Sequence, residues 1–150
     1  NFPKYVKSKQ KILLMLSPSD IVNKMMSKDA FSKWLGIKIL KIEKGYCQLE
    51  MKISESMTNG FQIAHGGICY SLADSALAFA SNSHGKMALS IETSISHTKK
   101  VKLNDTLIAE TEELNLNTKT GLYNIKIKNQ NSEEIAFFKG TVYFSDKIWK

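Results

Sequence analysis

The chain has 150 residues, 43% of them apolar, which suits one domain with a real core and excludes general disorder. Its net charge is +7, and all 21 basic residues are lysine. The absence of arginine argues against a base-reading nucleic-acid partner, since guanine and phosphate are read best by the planar guanidinium, and no run of about 18 apolar residues is present to span a membrane.

The first segment, Asn1 to Ser19, is Lys-rich and reads as an arm or short helix of no assigned role, with Ile12 to Leu16 helical and Ser17-Pro18-Ser19 forming a turn. Asp20 is placed to cap a single helix carrying Ile21, Val22, Met25, Met26, Phe31, Trp34 and Leu35 at three- and four-residue steps, with Gly36 as its stop. That stripe is expected to pack on the domain. Ile37 to Glu43 and Tyr46 to Ile53 then alternate as a hairpin turned at Gly45, with one wet face. Gly66 to about Ser83 is the one long apolar helix, roughly 27 Å at the usual rise per residue. Asn82-Ser-His84-Gly85 stops it. Strands follow at Ala88 to Thr98, Thr106 to Leu116, Leu122 to Lys128 and Ile135 to Phe144. In the first of these, Leu89, Ile91, Thr93 and Ile95 form one face and Ser90, Glu92, Ser94 and Ser96 the other. A run of strands with a segregated helix predicts an α+β domain, an antiparallel sheet of five to six strands wrapped around the central helix.

The chemistry concentrates in Asn59-Gly-Phe-Gln-Ile-Ala-His65-Gly66-Gly67-Ile-Cys-Tyr-Ser-Leu-Ala-Asp74. Gly66 and Gly67 stand where the helix begins. Its unpaired N–H groups can polarise a carbonyl there, and glycine permits close approach, although the same residues also suit a plain tight turn. Asp74 is a carboxylate in the middle of an apolar helix, fit for a general base or nucleophile unless it faces solvent. His65 orients the loop or bonds a ligand. His84 and His97 are assigned no chemical role. Gly66 and Asp74 are eight positions apart, roughly 12 Å along one helix, whereas cooperating groups must both lie about 3 Å from one reacting centre. If they cooperate, they come from two copies of the chain, related by a two-fold axis.

Cys47 and Cys69 have no metal-binding spacing and read as reduced thiols of a cytoplasmic protein. No His/Cys cluster, GxSxG elbow or phosphate loop is present, so neither metal nor cofactor is expected. Most lysines suit a solvated surface.

The pattern Asn59-x5-His65-Gly66-Gly67-x6-Asp74, with Gly36-Ile37, Gly45, Ala88-Leu-Ser90-Ile-Glu-Thr, Lys102-Leu-Asn-Asp105-Thr-Leu and Thr120-Gly-Leu-Tyr-Asn-Ile, resembles the hotdog-fold acyl-CoA thioesterases, closest to the PaaI-type branch. It covers roughly Ala30 to Phe144. The resemblance implies one hotdog domain that hydrolyses an acyl- or aryl-CoA thioester to free acid and coenzyme A. It implies Asp74 as base or nucleophile, the Gly66 amide on the thioester carbonyl, Asn59 positioning substrate or water, and Ser90 holding the water or the carboxylate. Asn59 and Gly66 would come from one subunit, Asp74 and Ser90 from the other, in a homodimer that assembles as a dimer of dimers. His65, Gly67, Lys99 and Lys100 fall to substrate binding, the lysines toward the phosphates of coenzyme A. A hotdog module that only binds acyl-CoA, as sensor or scaffold, is the alternative.

Overall fold

In the computed structural model, which describes residues 15–150, Ser17 begins the first helix, α1 (Pro18–Lys28). Asp20 does not cap it. Ser17 is the N-cap, its hydroxyl accepting from Asp20 N at 3.1 Å, while the Asp20 carboxylate takes the Ser17 N–H in return. This is a capping box, and Pro18 sits at the first helical position, where its missing N–H costs nothing. The expected turn at Ser17-Pro18-Ser19 is therefore a helix start. The arm before it, Ile12 to Leu14 included, lies outside the described residues.

The single helix expected from Ile21 to Leu35 is in fact two. Asp29 ends α1 and caps α2 (Ala30–Trp34), accepting from Ser32 N at 2.9 Å. Breaking the helix also breaks its stripe. Ile21, Val22 and Leu35 are buried, but Phe31 and Trp34 lie more than half exposed and stack on one another, ring centroids 5.8 Å apart. Gly36 closes α2 in the left-handed conformation, φ 68°.

Six antiparallel strands form the sheet, and all but β3 keep the faces expected of them closely enough to place the core. They are β1 (Lys38–Glu43), β2 (Tyr46–Lys52), β3 (Lys86–His97), β4 (Thr106–Leu116), β5 (Thr120–Lys128) and β6 (Glu134–Ile148), in the spatial order β1-β2-β4-β5-β6-β3. Cys47, Leu49 and Met51 of β2, Leu107 and Ala109 of β4, and Tyr123, Ile125 and Ile127 of β5 all point inward and are buried. They close on α3 (Gly66–Asn82), whose Ile68, Cys69, Leu72, Ala73, Ala76, Leu77, Phe79 and Ala80 are buried in turn. This is a hotdog fold, a sheet curled around one helix. Each large side chain so buried contributes about 1.5–3 kcal/mol. The helix is gripped closely: a Cβ at Gly140 of β6 would stand 2.5 Å from Leu77 Cδ2. Asn82 ends α3 and clamps three segments, its Oδ1 accepting from Ala88 N at 3.0 Å and Trp149 Nε1 at 2.9 Å, its Nδ2 donating to Ala78 O and Ala88 O.

The faces of β3 do not run as expected. Its ladder with β6 pairs Ser90 with Val142 and then Glu92 with Thr141, leaving Ile91 as a bulge. The bulge shifts the phase by one. Ala88 and Ser90 share the inward phase before it, and Thr93 and Ile95 after it. Leu89 and Ile91 are consequently 78% and 61% exposed on the sheet's free edge strand.

Both cysteines are buried free thiols, and burial pushes each up from the ordinary thiol range, Cys69 to about 11. No helix among the described residues is long and apolar enough to cross a membrane.

Candidate active site

The loop before α3 is stitched into a fixed shape by main-chain bonds. Thr58 bridges Ala64, Ile63 bridges Lys102, Asn59 N donates to Ile63 O at 2.8 Å, and Gln62 N donates to Asn59 O at 2.9 Å. Gln62 takes φ 59°, an unusual cost for a side-chain-bearing residue. Asn59 Oδ1 accepts from Phe61 N at 2.9 Å. The side-chain oxygen of Asn59 is thereby engaged, and its Nδ2 remains a donor for a ligand.

The two glycines differ in what their amides do. His65 is the N-cap of α3, and its Nδ1 accepts from Gly67 N at 2.9 Å. That bond places the imidazole proton on Nε2. The Gly66 N–H, by contrast, has no acceptor among the described residues. A helix start leaves such amides unpaired and partly positive, so Gly66 rather than Gly67 offers the free donor.

A cleft of about 350 Å³ lies at this helix start, lined by Asn59, Ile63, Gly66, Cys69, His97, Thr98, Lys99 and Lys100 among others. Four residues singled out in the sequence, Asn59, Gly66, Lys99 and Lys100, thus meet at one place. Lys99 Nζ is engaged there, 2.7 Å from Glu133 Oε1. This pairing, together with Asn129, holds the Glu133 carboxyl below its ordinary range. Lys100 forms no ion pair among the described residues. His97 was missed. It continues the inward phase of Thr93 and Ile95 beyond the bulge, and its Nε2 stands 3.3 Å from where a Gly66 Cβ would be. The strand phase was the available signal, since His97 continues the face of Thr93 and Ile95 at period two.

Asp74 and Ser90 do not border the cleft. Asp74 is half-buried on the one stripe of α3 that the sheet leaves partly uncovered, with Ser71 and Ala78 a turn to either side. No hydrogen-bond or ion-pair partner holds its carboxylate among the described residues, and desolvation pushes its pKa up from the usual 3.8. Ser90 is exposed on the edge strand, just before the bulge. Among the described residues, no group of side chains is suited to hold a metal ion. A depression of about 870 Å³ lies elsewhere, beside Tyr46 and Glu110, and none of the candidate site residues borders it.

A sheet curled on a central helix defines a hotdog domain, which here carries a free amide at the helix start and, among the described residues, an unpartnered carboxylate further along it. Comparison with known proteins agrees. The family model described as thioesterase superfamily matches residues 61–136, and the chain belongs to that family. A putative esterase of Archaeoglobus fulgidus is 44% identical over 119 residues, covering 79% of this chain and 77% of the relative. The acyl-coenzyme A thioesterase PaaI of Escherichia coli is 37% identical over 116 residues, 77% of this chain and 83% of that protein. The structure of the E. coli PaaI protein from the phenylacetic acid degradation operon superposes with a TM-score of 0.86 at 33% identity, covering 87% of this chain and 95% of that one. A Streptococcus mutans protein bound to acetyl CoA superposes with a TM-score of 0.73 at 26% identity, covering 75% and 91%.

Proposed function

We propose that this enzyme hydrolyses acyl- or aryl-CoA thioesters to the free acid and coenzyme A, at sites shared between two subunits. The observation that carries the reading is the Gly66 N–H, without an acceptor among the described residues, on a glycine that lines a cleft together with Asn59. It is supported by the likeness to PaaI of E. coli, named an acyl-coenzyme A thioesterase, and to a structure holding acetyl CoA.

The Gly66 amide receives the thioester oxygen and stabilises the charge that develops on it. Asp74 of the second subunit either takes a proton from water as it attacks or attacks the carbonyl itself. Asn59 Nδ2 orients substrate or water, and Ser90 holds the water or the carboxylate. His65 and Gly67, bonded to each other, keep the helix start in shape. Lys99 and Lys100 stand at the cleft's edge for the phosphates of coenzyme A.

Sharing is supported by the division already described: Asn59 and Gly66 border the cleft, while Asp74 and Ser90 lie outside it. An antiparallel pairing of two β3 edges about a two-fold axis would cover Leu89 and Ile91, satisfy the free edge and set the α3 helices side by side. A domain that only binds acyl-CoA has no need of a desolvated, unpartnered carboxylate.

Release of free thiol from a panel of acyl-CoAs tests the activity. Asp74→Asn should keep the fold and the dimer and lower kcat by about 10²-fold or more. Wild-type protein that releases no thiol from any member refutes the reading.

A further inference from the structure

The described mechanism leaves His97 unused, although its ring lines the same cleft as Gly66 and stands 3.3 Å from that glycine's Cβ position. We propose that His97 is the acid that protonates the departing sulfur, a role that rests on the thioesterase reading above.

The geometry is specific. The Nε2 edge of the ring is turned toward Gly66, with Nε2, Cε1 and Cδ2 at 3.3, 3.7 and 4.0 Å from the glycine's Cβ position. Because that position and the amide nitrogen are each one bond from Cα, Nε2 lies within about 6 Å of the Gly66 nitrogen. A carbonyl oxygen accepting from Gly66 would sit about 2.9 Å from that nitrogen. The thioester sulfur shares the carbonyl carbon with this oxygen, and a substrate whose sulfur points toward β3 places it beside Nε2. His97 lines the same cleft as Asn59, and among the described residues its ring has neither a hydrogen-bond nor an ion-pair partner. It is exposed, so its proton exchanges with solvent. The other charged or titratable side chains around the cleft are Lys99 with its partner Glu133, Lys100, the buried Cys69 thiol and His65 at the helix start. Lys99 is held by Glu133 and His65 by the Gly67 amide, which leaves His97 as the imidazole at this cleft with no partner among the described residues.

The step balances. Water adds to the carbonyl carbon as Asp74 takes one of its protons, and the carbonyl oxygen becomes an oxyanion on Gly66. As the C=O bond re-forms, the C–S bond breaks and its electron pair stays on sulfur, which takes the Nε2 proton. The imidazole recovers a proton from solvent, and Asp74 and the new carboxylic acid each lose one to solvent. The sum is thioester plus water giving carboxylate, thiol and one proton.

The test compares one acyl group on coenzyme A and on 4-nitrothiophenol, a thiol that leaves as a stable anion and needs no acid. His97→Gln keeps a hydrogen-bond donor but cannot give up a proton, and His97→Phe removes both. On the CoA ester each variant should lose about 10²-fold in kcat with KM changed only a few-fold, while kcat/KM on the nitrothiophenyl ester falls less than about threefold. An equal loss on both esters, a loss confined to KM, or undiminished CoA-ester hydrolysis overturns the proposal. If wild type cleaves neither ester, the thioesterase reading fails instead.

Discussion

Two individually inactive chains should make one working site when mixed, if the site is shared. The first partner is Asp74→Asn. The second is Gly66→Pro, which removes the N–H at issue and little else. Gly66 is the first residue of α3, where proline is favoured. His65 before it has φ −60° and ψ 138°, the extended region that a following proline demands. The new Cβ would meet His97 Nε2 at 3.3 Å, at the free end of an exposed side chain that can move aside. Loss of one oxyanion donor should cost about 10²–10³ in kcat, and loss of the base about 10²–10⁴. In the mixed dimer one site receives an intact Gly66 from the first chain and an intact Asp74 from the second, and the other site receives neither. Co-expression with two affinity tags isolates that dimer, and thiol release should show about half the wild-type activity per dimer. A mixed dimer no more active than its parents refutes the sharing argument, and with it the inference from the 12 Å separation.

Three further changes follow from single observations. Desolvation holds the Asp74 pKa above 3.8, so kcat/KM should fall, as pH is lowered, sooner than for a solvated aspartate. The stability linked to the protonated form is present below the unfolded value and lost as pH rises through the folded one, so Asp74→Asn should raise Tm at pH 7 by a margin that shrinks on acidification; a margin independent of pH contradicts this. Glu113 Oε2 accepts from the buried Tyr123 hydroxyl at 2.6 Å and meets His84 Nε2 at 2.5 Å. Glu113→Ala should therefore cost about 1–3 kcal/mol by leaving Tyr123 unpaired, and measurably less in a Tyr123→Phe background; equal costs in both backgrounds would deny the bond its role. Gly140→Ala should lower stability by about 1–3 kcal/mol through overpacking on Leu77, with relief from Leu77→Val in a double-mutant cycle, and strict additivity would rule out the clash.

The strands and α3 were legible because each buries one face against water, and burial writes itself as period two or as a continuous apolar run. What the sequence concealed were places where a single residue changes the phase. Asp29 fits a helical surface as well as a cap, so a break between α1 and α2 looked like one helix and gave Phe31 and Trp34 a burial they do not have. Ile91 fits an alternating strand as well as a bulge. Nothing local distinguishes the two, because the bulge is imposed by the ladder with β6 some fifty positions on. His97 was legible in phase, as the continuation of Thr93 and Ile95, but its neighbour Gly66 lies thirty-one positions earlier and nothing local names it. The Lys99–Glu133 pair was hidden for a similar reason, since its partners meet only where the start of β6 returns beside the end of β3.

The candidate site shows why one helix can serve both fold and chemistry. The sheet covers nearly the whole circumference of α3 and leaves one stripe, with Ser71, Asp74 and Ala78 along it. A charged residue on any other face would be buried without a partner at a cost the domain could not sustain. On this stripe Asp74 stays half-wet in the single chain, and its pKa rises only by partial desolvation. In the proposed dimer the small side chains flanking it let a second helix approach. The approach that removes the remaining water from the carboxylate is the one that delivers the partner's free amide. Desolvation then strengthens the base at the moment the oxyanion donor arrives. In the proposed dimer the uncovered stripe is the half of an active site that the chain leaves for its copy to complete.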